Sequence, residues 1–213
     1  MTALPYDWDA AVAHLSARDR RLAKLIERSH PLRLELAHTQ SLFHALAQSI
    51  VYQQLSGKAA ATIFGRMRAI YAPKKFPTPA DLAATPPERL RAAGLSNAKA
   101  AAVIDLARRT ASGELPTLAQ IRKLSDEEVV ERLTVVRGIG PWTVHMLMIF
   151  RLGRPDVLPV ADLGVRKGFA VTYRKEELPT PDELTRHAER WRPYRSLASW
   201  YMWRALEKTS TGD

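Results

Sequence analysis

The chain has 213 residues, 46% of them hydrophobic and 25% charged, proportions of a globular protein with room for one large domain or two small helical lobes. Its formal charge of +10 points to a polyanionic partner, either nucleic acid or an acidic membrane surface, although an Arg- and Ala-rich composition can also arise from genomic base content. The absence of cysteine excludes disulfides, thiolate zinc sites, iron–sulfur clusters and a cysteine nucleophile. No apolar run approaches the roughly twenty residues that span a bilayer, and the Met-Thr-Ala-Leu opening has no basic-then-apolar leader, so a cytoplasmic protein without a membrane partner is expected.

The periodicity is helical nearly throughout. Leu42, Phe43, Leu46, Ala47 and Ile50 form the apolar face of one helix. Ala59, Ala60, Ile63, Phe64, Met67, Ile70 and Tyr71 form that of another beginning after Ser56. A third, carrying Ala100, Val103, Ile104, Ala107 and Ala111, is entered through Gly94-Leu95-Ser96-Asn97. Ser125-Asp126-Glu127-Glu128 reads as a capping box opening a short helix to Leu133. Trp142–Leu152 is apolar nearly all round, which predicts a helix buried on most sides. After Pro193, Leu197, Trp200, Tyr201 and Trp203 fall on a further helix, and proline-bearing joints punctuate the series. With no alternating strand pattern and no repeat, the fold class is all-α. Joints near residues 40 and 155 predict a central lobe over 42–154 and a second lobe from 1–41 plus 155–213.

Chemistry concentrates in Arg137-Gly138-Ile139-Gly140-Pro141-Trp142-Thr143 and in Leu158-Pro159-Val160-Ala161-Asp162. Pro141 suits the first position of a helix, where an amide would have no intrahelical partner. The amides of Gly138 and Gly140, unobstructed by side chains, can point at an anion, for which a phosphate is the natural ligand. Asp162 follows about twenty residues later. A backbone phosphate clamp with one acid indicates a nucleic-acid enzyme attacking close to the sugar. On local sequence alone, Asp162 reads equally well as the cap of a helix starting near Leu163.

Five segments, in order over roughly residues 38–207, resemble the helix-hairpin-helix DNA glycosylases, most closely the 3-methyladenine DNA glycosylase II (AlkA-type) branch. They are Ile50-Val51-Tyr52-Gln53-Gln54-Leu55-Ser56 with Ala59-Ala60; Gly94-Leu95-Ser96 with Lys99; Gly138 to Thr143; Leu158 to Asp162; and Trp191-Arg192-Pro193-Tyr194-Arg195-Ser196. The resemblance implies a two-lobed helical fold with a cleft between the lobes, lacking the β-rich N-terminal domain of the archetype. It also implies a monofunctional enzyme of base excision repair. That enzyme would act as a monomer on damaged double-stranded DNA, flip out an alkylated base, hydrolyse its glycosidic bond and leave an abasic site.

Residue roles carry over position by position. Asp162 is the catalytic acid, Ala161 standing where the archetype has a second carboxylate. Trp142, Met146, Leu163 and Trp203 line the flipped-base pocket, or else pack in the core, the commoner fate of helical aromatics. Gln53 and Gln54 contact DNA, with Gln54 at the position of the intercalating wedge; solvent-facing glutamines at a helix end are the other reading. Gly138, Gly140 and Thr143 bind a phosphate, with Ser96 and Lys99 as a second contact, although Lys99 also reads as a solvated lysine. The main-chain carbonyls of Thr134, Val136 and Ile139 match those that hold a structural monovalent cation in the family; no other cofactor is implied. His145 reads as a satisfied core histidine. Strand-cleaving branches place a lysine where this chain has Trp142, so no lyase activity is expected. Two alternatives stay open: excision of other damaged bases on this scaffold, and a non-catalytic helix-hairpin-helix module that only binds DNA. A nucleoid association follows if the source is bacterial.

Overall fold

The computed structural model describes residues 4–207, which are helical with no sheet. In chain order the helices are α1 (Trp8–Arg18), α2 (Arg20–Ser29), α3 (Leu42–Tyr52), α4 (Gly57–Ala69), α5 (Pro79–Ala83) and α6 (Pro87–Ala92). They continue with α7 (Asn97–Ala111), α8 (Leu118–Ile121), α9 (Asp126–Thr134) and α10 (Pro141–Leu147), which runs directly into a π-helical turn, Met148–Leu152. Then come α11 (Leu163–Tyr173), α12 (Pro181–Ala188), a 3₁₀ turn at Glu189–Trp191 and α13 (Arg195–Arg204). Two compact units result: Thr39–Leu147, and the residues up to His38 together with those from Met148 onward.

The starts of these helices are written in side chains. Ser41, Ser56, Ser96 and Thr180 each accept an amide of the first turn, and Ser125 and Glu128 form the expected reciprocal box. In the central unit, Leu42, Phe43, Leu46, Ala47 and Ile50 of α3 are buried as their spacing predicts, and so are Ala100, Val103, Ile104 and Ala107 of α7. On α4, Ala60, Phe64 and Met67 are buried while Ala59 is exposed.

The apolar stretch Trp142–Leu152 departs from expectation in two ways. It is not one α-helix, because the backbone widens to π geometry at Met148, and the Phe150 carbonyl in that turn accepts the Ala37 amide at 2.9 Å. Nor is it enclosed all round: Val144, Leu147, Met148 and Ile149 are buried, but Trp142 is 48% exposed.

In the other unit the tightest approach is between α11 and α13. A Cβ placed on Gly168 would lie 1.9 Å from the Met202 carbonyl oxygen, so only glycine permits this crossing. Behind it sits a buried polar knot. Asp19, 5% exposed, caps α2 by accepting the Arg21 and Leu22 amides through Oδ1. Its Oδ2 accepts the Tyr173 hydroxyl at 2.5 Å and the Trp191 indole N–H at 3.0 Å, and lies 3.0 Å from His187 Nε2. Burial alone would raise this carboxyl's pKa, but hydrogen bonds from His187, Tyr173, the Leu22 amide and Trp191 hold it well below the usual carboxylate range. Burial and the bond to Asp19 push the Tyr173 hydroxyl the other way, far above the ordinary phenol value.

Candidate active site and nucleic-acid interface

In the central unit, α9 and α10 are joined by the turn Val135–Gly140. Gly138 has φ +77°, a conformation that costs a side-chain-bearing residue about 1–2 kcal/mol. The Val136 carbonyl accepts the Ile139 amide at 3.0 Å, and the Arg137 amide is anchored on Asp105 Oδ2 of α7 at 2.8 Å. The amides of Gly138 and Gly140 have no acceptor among the described residues, and both glycines are exposed. Those two donors, beside the start of α10, are what a phosphate oxygen requires. The Thr134 and Ile139 carbonyls likewise receive no donor in the turn, so that with Val136 they offer oxygens of the kind a hard cation takes. They fit the monovalent ion that the sequence resemblance implies.

The end of α3 abuts this hairpin, and here several side chains have duties that spacing does not reveal. Gln53 donates its side-chain N–H groups to the Gly138 carbonyl at 3.0 Å and to Thr143 Oγ1 at 3.3 Å. Thr143 is 6% exposed. Both residues, expected to contact DNA, therefore brace the hairpin from within. Lys99 is half-buried and turned back onto α3. Its ammonium donates to the Val51 and Gln53 carbonyls, both at 2.7 Å, satisfying orphan acceptors at the C-terminus of α3. Burial lowers its pKa. Ser96 caps α7 through the Lys99 amide and is itself exposed.

Gln54 is exposed with φ +56°, a left-handed backbone unusual for a non-glycine residue, and the next residue, Leu55, is 40% exposed. The two line a cavity of about 610 Å³ whose wall also includes Tyr52, Trp142, Thr143 and Met146. Sequence reasoning named Gln54, Trp142 and Met146 but passed over Leu55 and Tyr52. His145 is half-buried, and burial lowers its pKa, in keeping with a core role.

The other unit holds Asp162, Leu163 and Trp203. Pro159 turns the chain, its carbonyl accepting the Asp162 amide at 2.9 Å. Asp162 caps α11, its Oδ1 accepting the Val165 amide at 2.7 Å. The same oxygen accepts the Trp203 indole N–H at 2.9 Å. Capping and candidate catalysis are thus compatible in one side chain, which is 8% exposed. Gly164 makes the arrangement feasible, since a Cβ there would sit 2.7 Å from the Trp203 ring and 3.1 Å from Asp162 Oδ1. Phe150 packs against Trp203 with ring centroids 5.4 Å apart, and Leu163 is 52% exposed. That Trp203 grips the acid was not legible, because the partners lie 41 residues apart.

A hairpin with outward glycine amides and a clasped, proline-bounded aspartate define a class of DNA-repair fold, and the comparison with known families agrees. Residues 47–193 match the family model described as HhH-GPD superfamily base excision DNA repair protein, and the chain belongs to that superfamily. Among its relatives is DNA-3-methyladenine glycosylase 1 of Schizosaccharomyces pombe, 39% identical over 91% of this chain and 86% of that protein. The solved structure of a 3-methyladenine DNA glycosylase of that yeast (Mag1) in complex with abasic DNA superposes with a TM-score of 0.78 at 37% identity. That match covers 93% of this chain and 100% of the other. A DNA-3-methyladenine glycosidase from Bacillus halodurans gives a TM-score of 0.82 at 35% identity, over 92% of this chain and 88% of its own.

Proposed function

We propose that this protein is a monofunctional DNA glycosylase of base excision repair, flipping alkylated bases out of duplex DNA and hydrolysing their glycosidic bonds. The observation that carries this reading is Asp162, a carboxylate in a glycosylase fold held by the Val165 amide and the Trp203 indole. Breaking an N-glycosidic bond builds positive charge on the deoxyribose. A preorganised carboxylate stabilises that charge electrostatically and orients or deprotonates the attacking water. Water adds its oxygen to the sugar carbon, the base departs with the bonding electron pair, and an abasic site remains. A base methylated on a ring nitrogen is already electron-poor, so its departure needs little general-acid help.

Flipping costs a few kcal/mol of lost stacking and pairing. Gln54 and Leu55, exposed at the end of α3, supply the polar and apolar surface to fill the gap and meet the orphaned base. Trp142, Met146, Leu163 and Trp203 are assigned to the base on the family resemblance. A cationic base gains about 0.5–2 kcal/mol per well-placed ring. The Gly138 and Gly140 amides hold a phosphate, and Ser96 at the start of α7 offers a second contact. A monovalent cation on the Thr134, Val136 and Ile139 carbonyls would add positive charge beside that phosphate. Trp142 in place of a lysine supports hydrolysis without strand cleavage.

The substrates fitting this chemistry are 3-methyladenine and 7-methylguanine, with 1-methyladenine, 3-methylcytosine and etheno adducts as further members, and the enzyme works on DNA in the cytoplasm. No helix among the described residues is long and apolar enough to cross a membrane. The test is a profile of bases released from alkylated duplexes. Wild type should release methylated bases. Asp162→Asn, whose side-chain oxygen can still cap α11, should lose roughly 10²–10³-fold in release while holding an abasic duplex within a few-fold of wild type. Unchanged release by the variant would refute the assignment.

A further inference from the structure

A second cavity, of about 370 Å³, lies wholly within the unit that carries Asp162, at the opposite end of α11. With eleven residues in that helix, the two ends are about 15 Å apart. One wall is a single face of α2, where Arg21, Lys24, Leu25 and Arg28 recur at helical spacing. The other is built from Val171, Thr172, Arg174 and the end of α13 at Ala205.

Four cationic side chains line this space and no carboxylate does. Arg21 donates to the Tyr173 carbonyl, but Lys24, Arg28 and Arg174 have no ion-pair or hydrogen-bond partner for their charged ends among the described residues. Lys24 and Arg28 are four apart on one helix, an arrangement that like charges make unfavourable. Thr172 adds a second kind of evidence. Its hydroxyl oxygen is buried with no hydrogen-bond partner, which is costly for a polar group unless something else satisfies it.

We propose that this basic cavity is a second anion site, taking a phosphate group through Arg21, Lys24, Arg28 and Arg174 with the Thr172 hydroxyl. It is distinct from the Gly138–Gly140 hairpin and independent of the role given to Asp162. The shared chemistry is a phosphate, carried either by the backbone of a DNA duplex or by a free phosphorylated compound; the guanidinium fork matches its oxygens.

The experiment is amide NMR on the full-length ¹⁵N-labelled protein, with pyrophosphate and, separately, an abasic duplex as probes. The comparison protein carries Lys24→Gln with Arg28→Gln. Pyrophosphate should move the Thr172 and Arg174 amide signals saturably in wild type and not in the double variant. If DNA is the source, the duplex moves the same signals and the double variant lowers the log–log salt slope of duplex binding by roughly one to two. If a free phosphate compound is the source, pyrophosphate moves them, the duplex does not, and the slope is unchanged. Signals that respond to neither probe overturn the site. Thermal melting at low salt without anion separates it from mere helix-end stabilisation. The double variant should melt at or above wild type because repulsion is relieved. A lower melting temperature would show that these cations serve the helix termini and would overturn the proposal.

Discussion

Asp19 and Asp162 are both buried aspartates, both cap a helix and both accept an indole N–H, yet they differ in how many elements they join. Asp19 spreads its donors over both oxygens: two amides on Oδ1, and a phenol, an imidazole and an indole around Oδ2. It ties α2 to α11, to α12 and to the 3₁₀ turn that follows. The amide and indole that hold Asp162 gather on one oxygen, Oδ1, at the start of α11. A carboxylate that staples four elements is architecture. Asp162 is the one to which we assign the chemistry.

The comparison can be broken by exchanging the consequences. Asp19→Ala strands the phenol, imidazole and indole that it satisfied, and should cost about 3–5 kcal/mol in denaturant unfolding, while the protein that remains folded excises bases at the wild-type rate per molecule. Lost activity without lost stability would reverse the two roles. The pH dependence has a fixed sign. Asp19's folded pKa lies below the unfolded value of about 3.9. Its contribution is therefore fully present above that pH and is lost as pH falls toward the folded pKa. The stability gap between wild type and the variant should hold from neutral pH to about 4 and narrow below it.

A finer cut comes at Trp203. Trp203→Phe keeps a ring against Phe150 but removes the N–H held by Asp162. Base release should fall about 10- to 100-fold, equivalent to about 1.4–2.7 kcal/mol, with unfolding changed by less. Smaller still is Lys99→Met, which removes two hydrogen bonds from the end of α3. Stability should drop by about 1–3 kcal/mol and the salt slope of duplex binding should not move. A slope reduced by about one would restore the lysine to the phosphate.

Local features were legible. The capping box at Ser125, the hairpin glycines, Pro141 at the first position of α10 and the turn before Asp162 are all decided within a few residues, where propensity and spacing act directly. The exposed Gly138 and Gly140 amides stand as the sequence suggests. What escaped is what the chain assembles from a distance. The donors to Asp19 lie 154, 168 and 172 residues away, and Lys99 reaches back 46 and 48 residues to its carbonyls. An exposed-looking lysine after a serine cap carries no mark of a helix end packed beside it. The π turn at Met148 is hidden for a different reason: periodicity registers which face is apolar, and one widened turn barely disturbs it.

Gln54 carries one more consequence. Holding a side-chain-bearing residue at φ +56° costs about 1–2 kcal/mol, which glycine would avoid and asparagine would reduce. A chain selected for thermal robustness alone would discard that residue. Libraries screened only by melting temperature should therefore drift toward glycine here, trading away the side chain we assign to the opened helix.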